Sequence, residues 1–104
     1  MALIITSTTN NQIHVRGTAI ELASVYNRLE FGCRPNGTTM EIAFYTYADH
    51  AGYIAGNSLP TDLPTGNLTV EIDLATQTQD LAAAHELAKA HFETLGYIVS
   101  IDPV

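Results

Sequence analysis

The sequence is poor in positive charge. It contains four Lys and Arg residues against eleven Asp and Glu residues, and its formal net charge at pH 7 is −7. Proteins that bind nucleic acid or anionic membranes neutralise phosphate groups with clustered basic side chains. The cations here are scattered along the chain, at Arg16, Arg28, Arg34 and Lys89. We therefore expect neither nucleic acid nor a membrane surface to be a partner.

Cysteine and long apolar segments are also scarce. Cys33 is the only cysteine, so no intramolecular disulfide can form, and a lone Cys in a reducing compartment is usually a small buried hydrophobe. No apolar run approaches the roughly 18 residues of a membrane-spanning helix. Residues 1–6 also lack the basic start of a secretory signal. These absences predict synthesis in the cytoplasm and no membrane span.

The rest of the composition is typical of a globular protein. The chain has 104 residues, of which 46% are hydrophobic, and its mean hydropathy is +0.09. A chain of this size buries enough apolar surface to form one core. We expect a single domain over residues 1–104.

The C-terminal part contains the strongest helical pattern. Over residues 78–95, apolar side chains recur at three- and four-residue spacing, at Leu81, Ala84, Ala88, Phe92 and Leu95. This spacing places them on one face of a helix. Thr76 or Thr78 can cap its start, where Asp80 also suits the positive end of the helix dipole. Gly96 can end the helix, and residues 97–101 predict a closing β-strand.

The middle of the chain alternates in the manner of a β-hairpin. Alternation runs through residues 29–33 and again through residues 38–48, and the Pro-Asn-Gly sequence at 35–37 is typical of a turn between them. Residues 68–74 alternate apolar with polar side chains, which predicts a half-buried strand.

The N-terminal part is less regular. Residues 3–8 and 13–16 predict two short strands that can form a hairpin. The Thr-x-x-Glu pattern at 18–21 is typical of a capping box and favours a short helix over residues 19–27. An extended conformation through residues 20–22 remains an alternative.

These elements predict the fold class. Residues 53–55 are expected to be extended, and residues 56–67, with two prolines and little periodicity, to form a long loop. The order of elements favours an α+β two-layer sandwich. We expect a mainly antiparallel sheet, the long C-terminal helix packed across it, and a final strand at its edge or centre.

The nearest approach to a catalytic motif lies in the C-terminal helix. Zinc proteases of the His-Glu-x-x-His type place two imidazoles four residues apart, on one helix face. Here Lys89 occupies the position of the second histidine, and His91 lies too far round the helix from His85 to share a metal. We expect His85 and His91 to be partly exposed residues on the flanks of the helix.

Other polar pairs also favour structural roles. Asp49 and His50 lie in a predicted turn, and Glu71 and Asp73 share the solvent-facing side of a predicted strand. No glycine-rich phosphate-binding loop is present in the sequence. We therefore predict no catalytic residues, no cofactor and no metal site.

One strand has apolar or aromatic side chains on both faces. Met40, Ile42 and Phe44 share one face, whereas Ala43, Tyr45 and Tyr47 share the other. A half-buried strand in a small monomer would have polar residues on its outer face, so the second face is expected to meet a helix, another sheet or another subunit. The candidate residues for an oligomer interface are Tyr45, Tyr47, Tyr53, Leu59 and Leu63.

The chain is similar in style to small virion proteins of tailed bacteriophages, of the tail and neck class. It is short, rich in Thr, Ala and Asn and poor in Lys, with an alternating hairpin over residues 28–48 and a terminal helix and strand over residues 78–101. The resemblance implies a ring or tube of repeated copies, with other virion proteins as further partners and the virion as the final location.

Two functions follow from these observations. The first is a non-enzymatic structural subunit that forms a homo-oligomer. The second is a small cytoplasmic domain that binds a small molecule or performs simple acid–base chemistry, at a site shared across a dimer. Asp49, His50 and the 56–67 loop are the candidate elements of that second site.

Overall fold

The structure, a computed structural model, describes residues 1–33, 37–64, 66–76 and 78–103. Within these ranges the strands are β1 (Ala2–Thr6), β2 (Ile13–His14), β3 (Glu21–Leu22), β4 (Ser24–Cys33), β5 (Thr39–Tyr47), β6 (Leu68–Glu71) and β7 (Ile98–Asp102). The helices are α1 (His50–Ile54) and α2 (Leu81–Thr94).

The described strands form a five-stranded antiparallel sheet and a small ribbon. The order in the sheet is β6-β5-β4-β1-β7, and β2 pairs with β3 to form the ribbon. Helix α2 packs against one face of the sheet, which we call the inner face. The α+β class and the long C-terminal helix across an antiparallel sheet are thus confirmed, and the final strand lies at the sheet edge.

The core lies between the inner face and α2. The sheet contributes Leu3, Ile5, Val25, Leu29, Met40, Ile42 and Val99, and the helix contributes Ala84, Ala88 and Phe92. The two alanines are small, so the helix backbone can approach the sheet closely. The ring of Phe92 meets that of Phe44 edge to face, with the ring centroids 5.5 Å apart.

The predicted helix over residues 19–27 is wrong. Strand β4 begins at Ser24 and pairs with β1 on one side and β5 on the other. The apolar spacing that favoured a helix also fits a strand, because Val25 and Leu29 both point to the inner face. The hydroxyl of Thr18 donates to the Val15 carbonyl and accepts from the Ile20 amide, so it stabilises a turn and not a helix start.

The predicted N-terminal hairpin is also wrong. Strand β1 lies between β4 and β7, and β2 pairs with β3 instead. Residues Ala2–Thr6 suit a central strand because Ala2, Leu3 and Ile5 are all buried. The β4–β5 hairpin is confirmed as far as the pair Cys33 and Met40, and residues 35 and 36 of its predicted Pro-Asn-Gly turn lie outside the described residues.

Residues 53–55 were expected to be extended, but Tyr53 and Ile54 belong to α1. The carboxylate of Asp49 accepts a hydrogen bond from the Gly52 amide at 2.7 Å and caps this helix. One side-chain acceptor at the start of a helix satisfies an amide that has no partner within the helix, and this favours the single helical turn over an extended segment.

The long helix is shorter than predicted at its start. Asp80, and not Thr76 or Thr78, is its N-cap, and its carboxylate accepts from the Ala83 amide at 2.8 Å. Thr78 supports the cap by donating its hydroxyl proton to Asp80 at 2.7 Å. At the other end, Gly96 has a φ of +99°, the left-handed conformation that was expected of a helix-ending glycine.

The buried face of α2 also differs from the prediction. Leu81 and Leu95 are each 41% exposed, whereas His85 is fully buried beside Ala84 and Ala88. His85 was expected on an exposed flank, so that prediction is wrong. The Nδ1 atom of His85 lies 2.7 Å from the Leu81 carbonyl oxygen; because a carbonyl only accepts, Nδ1 carries the proton.

Residues 58–62 of the predicted 56–67 loop run beside β2 and the end of β5. Strand β6 ends at Glu71, short of the predicted residue 74. Val15 forms a bridge with Thr61, and Tyr47 with Ser58. The Asp62 carboxylate accepts from the His14 amide at 2.8 Å and meets the His14 ring nitrogen at 2.9 Å. The amide hydrogen bond from His14 lowers the pKa of Asp62. The side chain that attaches the loop to β2 therefore stays ionised at a lower pH than an ordinary aspartate.

Candidate interaction surface

The pairing of β4 with β5 creates a row of aromatic and charged residues on the outer face of the sheet. Tyr26 lies opposite Tyr47, and Arg28 lies opposite Tyr45. Because side chains alternate along a strand, these residues point away from the core that α2 covers. The predicted division of β5 into two faces, with Tyr45 and Tyr47 on the second, therefore holds.

Helix α1 covers part of this outer face. The ring of Tyr53 lies 5.3 Å from that of Tyr47 and 6.0 Å from that of Tyr26, between centroids. The ring of His50 meets Tyr26 at 5.7 Å, edge to face. As a result Tyr26 is buried, while Tyr47 and Tyr53 stay half-buried.

Arg28 connects the strand to this helix. Its guanidinium carbon lies 4.3 Å from the centroid of the Tyr53 ring, which is the geometry of a cation–π contact. Its Nη1 atom also donates to the Tyr26 hydroxyl at 3.3 Å. Both contacts restrict the side chain, so the guanidinium is held in place on the outer face.

Tyr45 is the most open tyrosine of this group. It is 46% exposed, and its hydroxyl donates to the Glu30 carboxylate at 3.2 Å. This hydrogen bond and the negative charge of Glu30 raise the pKa of Tyr45. The ring therefore keeps its hydroxyl proton and presents a neutral aromatic surface.

These residues line one shallow depression. It has a volume of about 420 Å³ and is bordered by Arg28, Glu30, Tyr45, Tyr47 and Tyr53. We call these five residues the tyrosine surface. It combines ring faces with one cation and one carboxylate, which suits contact with a protein better than enclosure of a small ligand.

The structure brings together three of the predicted interface residues, places Leu59 beside one of them, Tyr45, in a neighbouring depression, and buries Leu63. Tyr45, Tyr47 and Tyr53 belong to the tyrosine surface. Leu59 is half-buried at the edge of β5, where its amide donates to the Thr46 carbonyl at 2.9 Å. Leu63 is 3% exposed and packs in the core of its own chain. We therefore remove Leu63 from the candidate interface.

Arg28 and Glu30 belonged to the predicted hairpin over residues 28–48 but were not named as interface residues, because the predicted helix over residues 19–27 cut the strand short and hid Tyr26 from the same row. A strand that continued back to Ser24 would have placed Tyr26, Arg28 and Glu30 on one face by simple alternation. The signal was present in the sequence, but the apolar residues at helical spacing masked it.

Asp49 and His50 lie at one end of the outer face. With Ser24, Tyr26 and Asp102 they border a depression of about 170 Å³. The Asp49 carboxylate caps α1 and the His50 ring packs against Tyr26. Both side chains therefore have structural contacts that account for their positions.

The remaining polar residues stay apart. His85 is buried, whereas His91 is half-buried with its ring 5.2 Å from that of Phe92. Cys33 is half-buried and packs against the core. In the described ranges no three His, Cys, Asp or Glu side chains are close enough to hold a metal ion together.

Neither α1 nor α2 has the length and apolar character needed to cross a membrane, and the described residues contain no other α-helix. Comparisons of the chain with protein-family models, with curated proteins and with solved structures find no match.

Proposed function

We propose that this protein is a non-enzymatic structural subunit that associates with copies of itself through the tyrosine surface. The observation that carries the proposal is the open outer face of β5. Tyr45 stands there on a strand whose other face already packs in the core. Tyr45 stays 46% exposed within its own chain, and a second subunit that covers the ring would bury this remaining surface.

The chemistry of the surface supports this role. Tyr and Arg are the residue types most enriched among those that dominate binding energy at protein interfaces. Ordering a side chain on binding costs entropy, and a side chain that is already held loses less. The contacts of Arg28 with Tyr53 and Tyr26, and of Tyr45 with Glu30, hold the surface in one arrangement before any partner arrives.

The resemblance to tail and neck proteins of tailed phages suggests where such a subunit would act. By this resemblance, the subunit would belong to a ring or tube of repeated copies in a virion, and its other partners would be neighbouring virion proteins. The acidic surface, with its formal net charge of −7, favours protein partners over nucleic acid.

A second candidate is a small ligand-binding or acid–base domain. The observation in its favour is the depression at Asp49 and His50, which is bordered by a second carboxylate from Asp102. We prefer the structural role because the Asp49 carboxylate is already engaged by the Gly52 amide. Ligand binding at this depression would not depend on Tyr45.

The test of the proposal is Tyr45→Glu. The new carboxylate lies opposite Arg28 in the β4–β5 register and near Glu30. The position is 46% exposed, so water and Arg28 offset the repulsion from Glu30 and the fold can accept the charge, whereas a partner that packs on this surface would bury it. Size-exclusion chromatography with light scattering should show a lower mass than for the wild type, with an unchanged far-UV circular dichroism spectrum. Gln12→Glu adds the same charge at an exposed loop residue and should leave the mass unchanged. An unchanged mass for Tyr45→Glu contradicts the proposal.

A further inference from the structure

The strand β7 ends the sheet on one side. Ile98–Asp102 pairs with β1 along its whole length, and no other strand follows it in the sheet order of the described residues. We propose that the β7 strand of a second copy of this chain pairs with it in antiparallel fashion, so that the two sheets continue into one. The inference rests on the proposed function, since it names a second contact of a subunit that assembles with itself.

The composition of β7 favours pairing. Natural proteins protect exposed sheet edges with Lys, proline, bulges or charged side chains within the strand. Strand β7, Ile98–Asp102, contains no Lys and no proline, and its one charged residue is Asp102 at its end. Ile98 is 63% exposed. The edge is therefore mainly apolar, and its only charged side chain, that of Asp102, lies at its end.

A two-fold axis through Ser100 gives a self-complementary register. Val99 then lies opposite the partner's Ile101, and both belong to the inner face, where Val99 is buried and Ile101 half-buried. Ser100 lies opposite the partner's Ser100. Ile98 lies opposite the partner's Asp102, so no two like charges face each other.

Other registers fit less well. A shift by one residue would place inner-face side chains opposite outer-face ones, which the pleat of the sheet does not allow. A shift of the axis to Val99 or Ile101 keeps the faces matched but leaves one end of β7 without a strand residue opposite it. Only the axis through Ser100 pairs every residue of β7.

The opposite edge of the sheet is a poorer candidate. Strand β6 has four residues and carries Glu71 on the outer face, where Glu41 of β5 lies opposite Thr69. Pairing two β6 strands would gather four carboxylates, those of Glu41 and Glu71 from each chain. Repulsion among these carboxylates opposes pairing there, whereas β7 has one acidic residue at its end.

The contact at β7 and the contact at the tyrosine surface lie on different parts of the sheet. β7 is separated from β5 by β1 and β4. A contact across a two-fold axis closes at a dimer, but a subunit with a second, separate contact can join dimers into larger assemblies. Together the two contacts permit the repeated assembly that the proposed function requires.

The first experiment places a charge on the axis. Ser100 is exposed, so Ser100→Lys and Ser100→Glu should each fold as the wild type does by circular dichroism. Each variant alone sets like charges directly opposite one another, and light scattering should show the assembly mass fall by about twofold as each edge-paired dimer separates. An equimolar mixture of the two variants should recover the wild-type mass. Thr69→Lys on the β6 edge is the matched control and should leave the mass unchanged.

The second experiment reports the contact without adding charge. Ser100→Cys in a Cys33→Ser background should form a disulfide-linked dimer on mild oxidation. Directly opposite residues on antiparallel strands have Cβ atoms about 4.5–5.5 Å apart, and a small movement of the paired edges brings them to the roughly 3.5–4.5 Å of a disulfide. Thr69→Cys in the same background should stay unlinked. Absence of the dimer at position 100, together with an unchanged mass for Ser100→Lys, would overturn the inference.

The outcomes separate this inference from the proposed function. A wild-type monomer would contradict both. A wild-type assembly that Tyr45→Glu reduces and Ser100→Lys leaves intact would sustain the proposed function and refute pairing at β7. The reverse pattern would sustain pairing at β7 and refute the tyrosine surface as an interface.

Discussion

The guanidinium carbon of Arg28 lies 4.3 Å from the centre of the Tyr53 ring, and this contact joins the long strand β4 to the short helix α1. A helix of five residues has little stability of its own. Its position on the outer face therefore depends on the side chains that it packs, chiefly the Tyr53 ring against Tyr26, Arg28 and Tyr47.

Tyr53→Leu should loosen α1 from the sheet. The substitution removes three ring–ring contacts, with Tyr26, Tyr47 and His50, and one cation–π contact, which together stabilise the fold by about 1–3 kcal/mol. We expect faster amide hydrogen exchange at residues 53–56 and a lower urea midpoint. Tyr53→Phe keeps the ring and should change neither by much. Equal exchange rates in the wild type and Tyr53→Leu would show that α1 is held by its backbone alone.

Phe92→Ala should be the most damaging single substitution in α2. Phe92 is fully buried and contacts Phe44, so truncation leaves a cavity and should lower the free energy of unfolding by about 3–5 kcal/mol. Leu95→Ala, three residues on and 41% exposed, should cost less than about 1 kcal/mol. Urea denaturation measures both values. Similar losses for the two variants would contradict the observed orientation of the helix.

The buried His85 should make stability depend on pH. Burial disfavours the charged ring and lowers the pKa of His85, against the opposing effect of its hydrogen bond to the Leu81 carbonyl. Below about pH 6.5 the unfolded chain binds a proton at this residue that the folded chain does not. The free energy of unfolding should therefore fall as the pH drops below about 6.5, by at most about 1.4 kcal/mol per pH unit, and level off below the folded-state pKa.

His85→Leu should remove this dependence, and His91→Gln should retain it. The comparison uses urea midpoints measured at several pH values above the range where carboxylates titrate. An identical slope in His85→Leu and in the wild type would assign the effect to another group.

Elements with a local sequence pattern could be predicted from the sequence. The prediction was wrong where contacts between residues distant in sequence determine the secondary structure. Alternation in residues 38–48 and the helical spacing around Phe92 were enough to place β5 and α2. In β4 the inner row includes Asn27, a polar residue that breaks the apolar alternation. Asn27 is nevertheless buried, because its oxygen accepts from the Thr46 hydroxyl at 2.7 Å and its amide donates to the Leu3 carbonyl at 3.4 Å. Neither partner is near it in sequence.

The same limit applies to the candidate surface. Tyr45 and Tyr47 followed from alternation within one strand, whereas the approach of Tyr53 depends on the Asp49 cap that turns the chain into α1. Arg28 lay within the predicted hairpin over residues 28–48, but only the β4–β5 register sets it opposite Tyr45, and no local pattern fixes that register. Leu63 was misassigned because an apolar residue in a proline-containing loop gives no local sign of whether it packs inward.

The central claim is that this protein assembles with copies of itself, and the mass of the wild-type protein in solution tests it most directly. Sedimentation equilibrium over a wide range of protein concentration should give a mass that is a multiple of the 11.2 kDa chain and that rises towards a plateau. A mass of 11.2 kDa at every concentration would contradict the account.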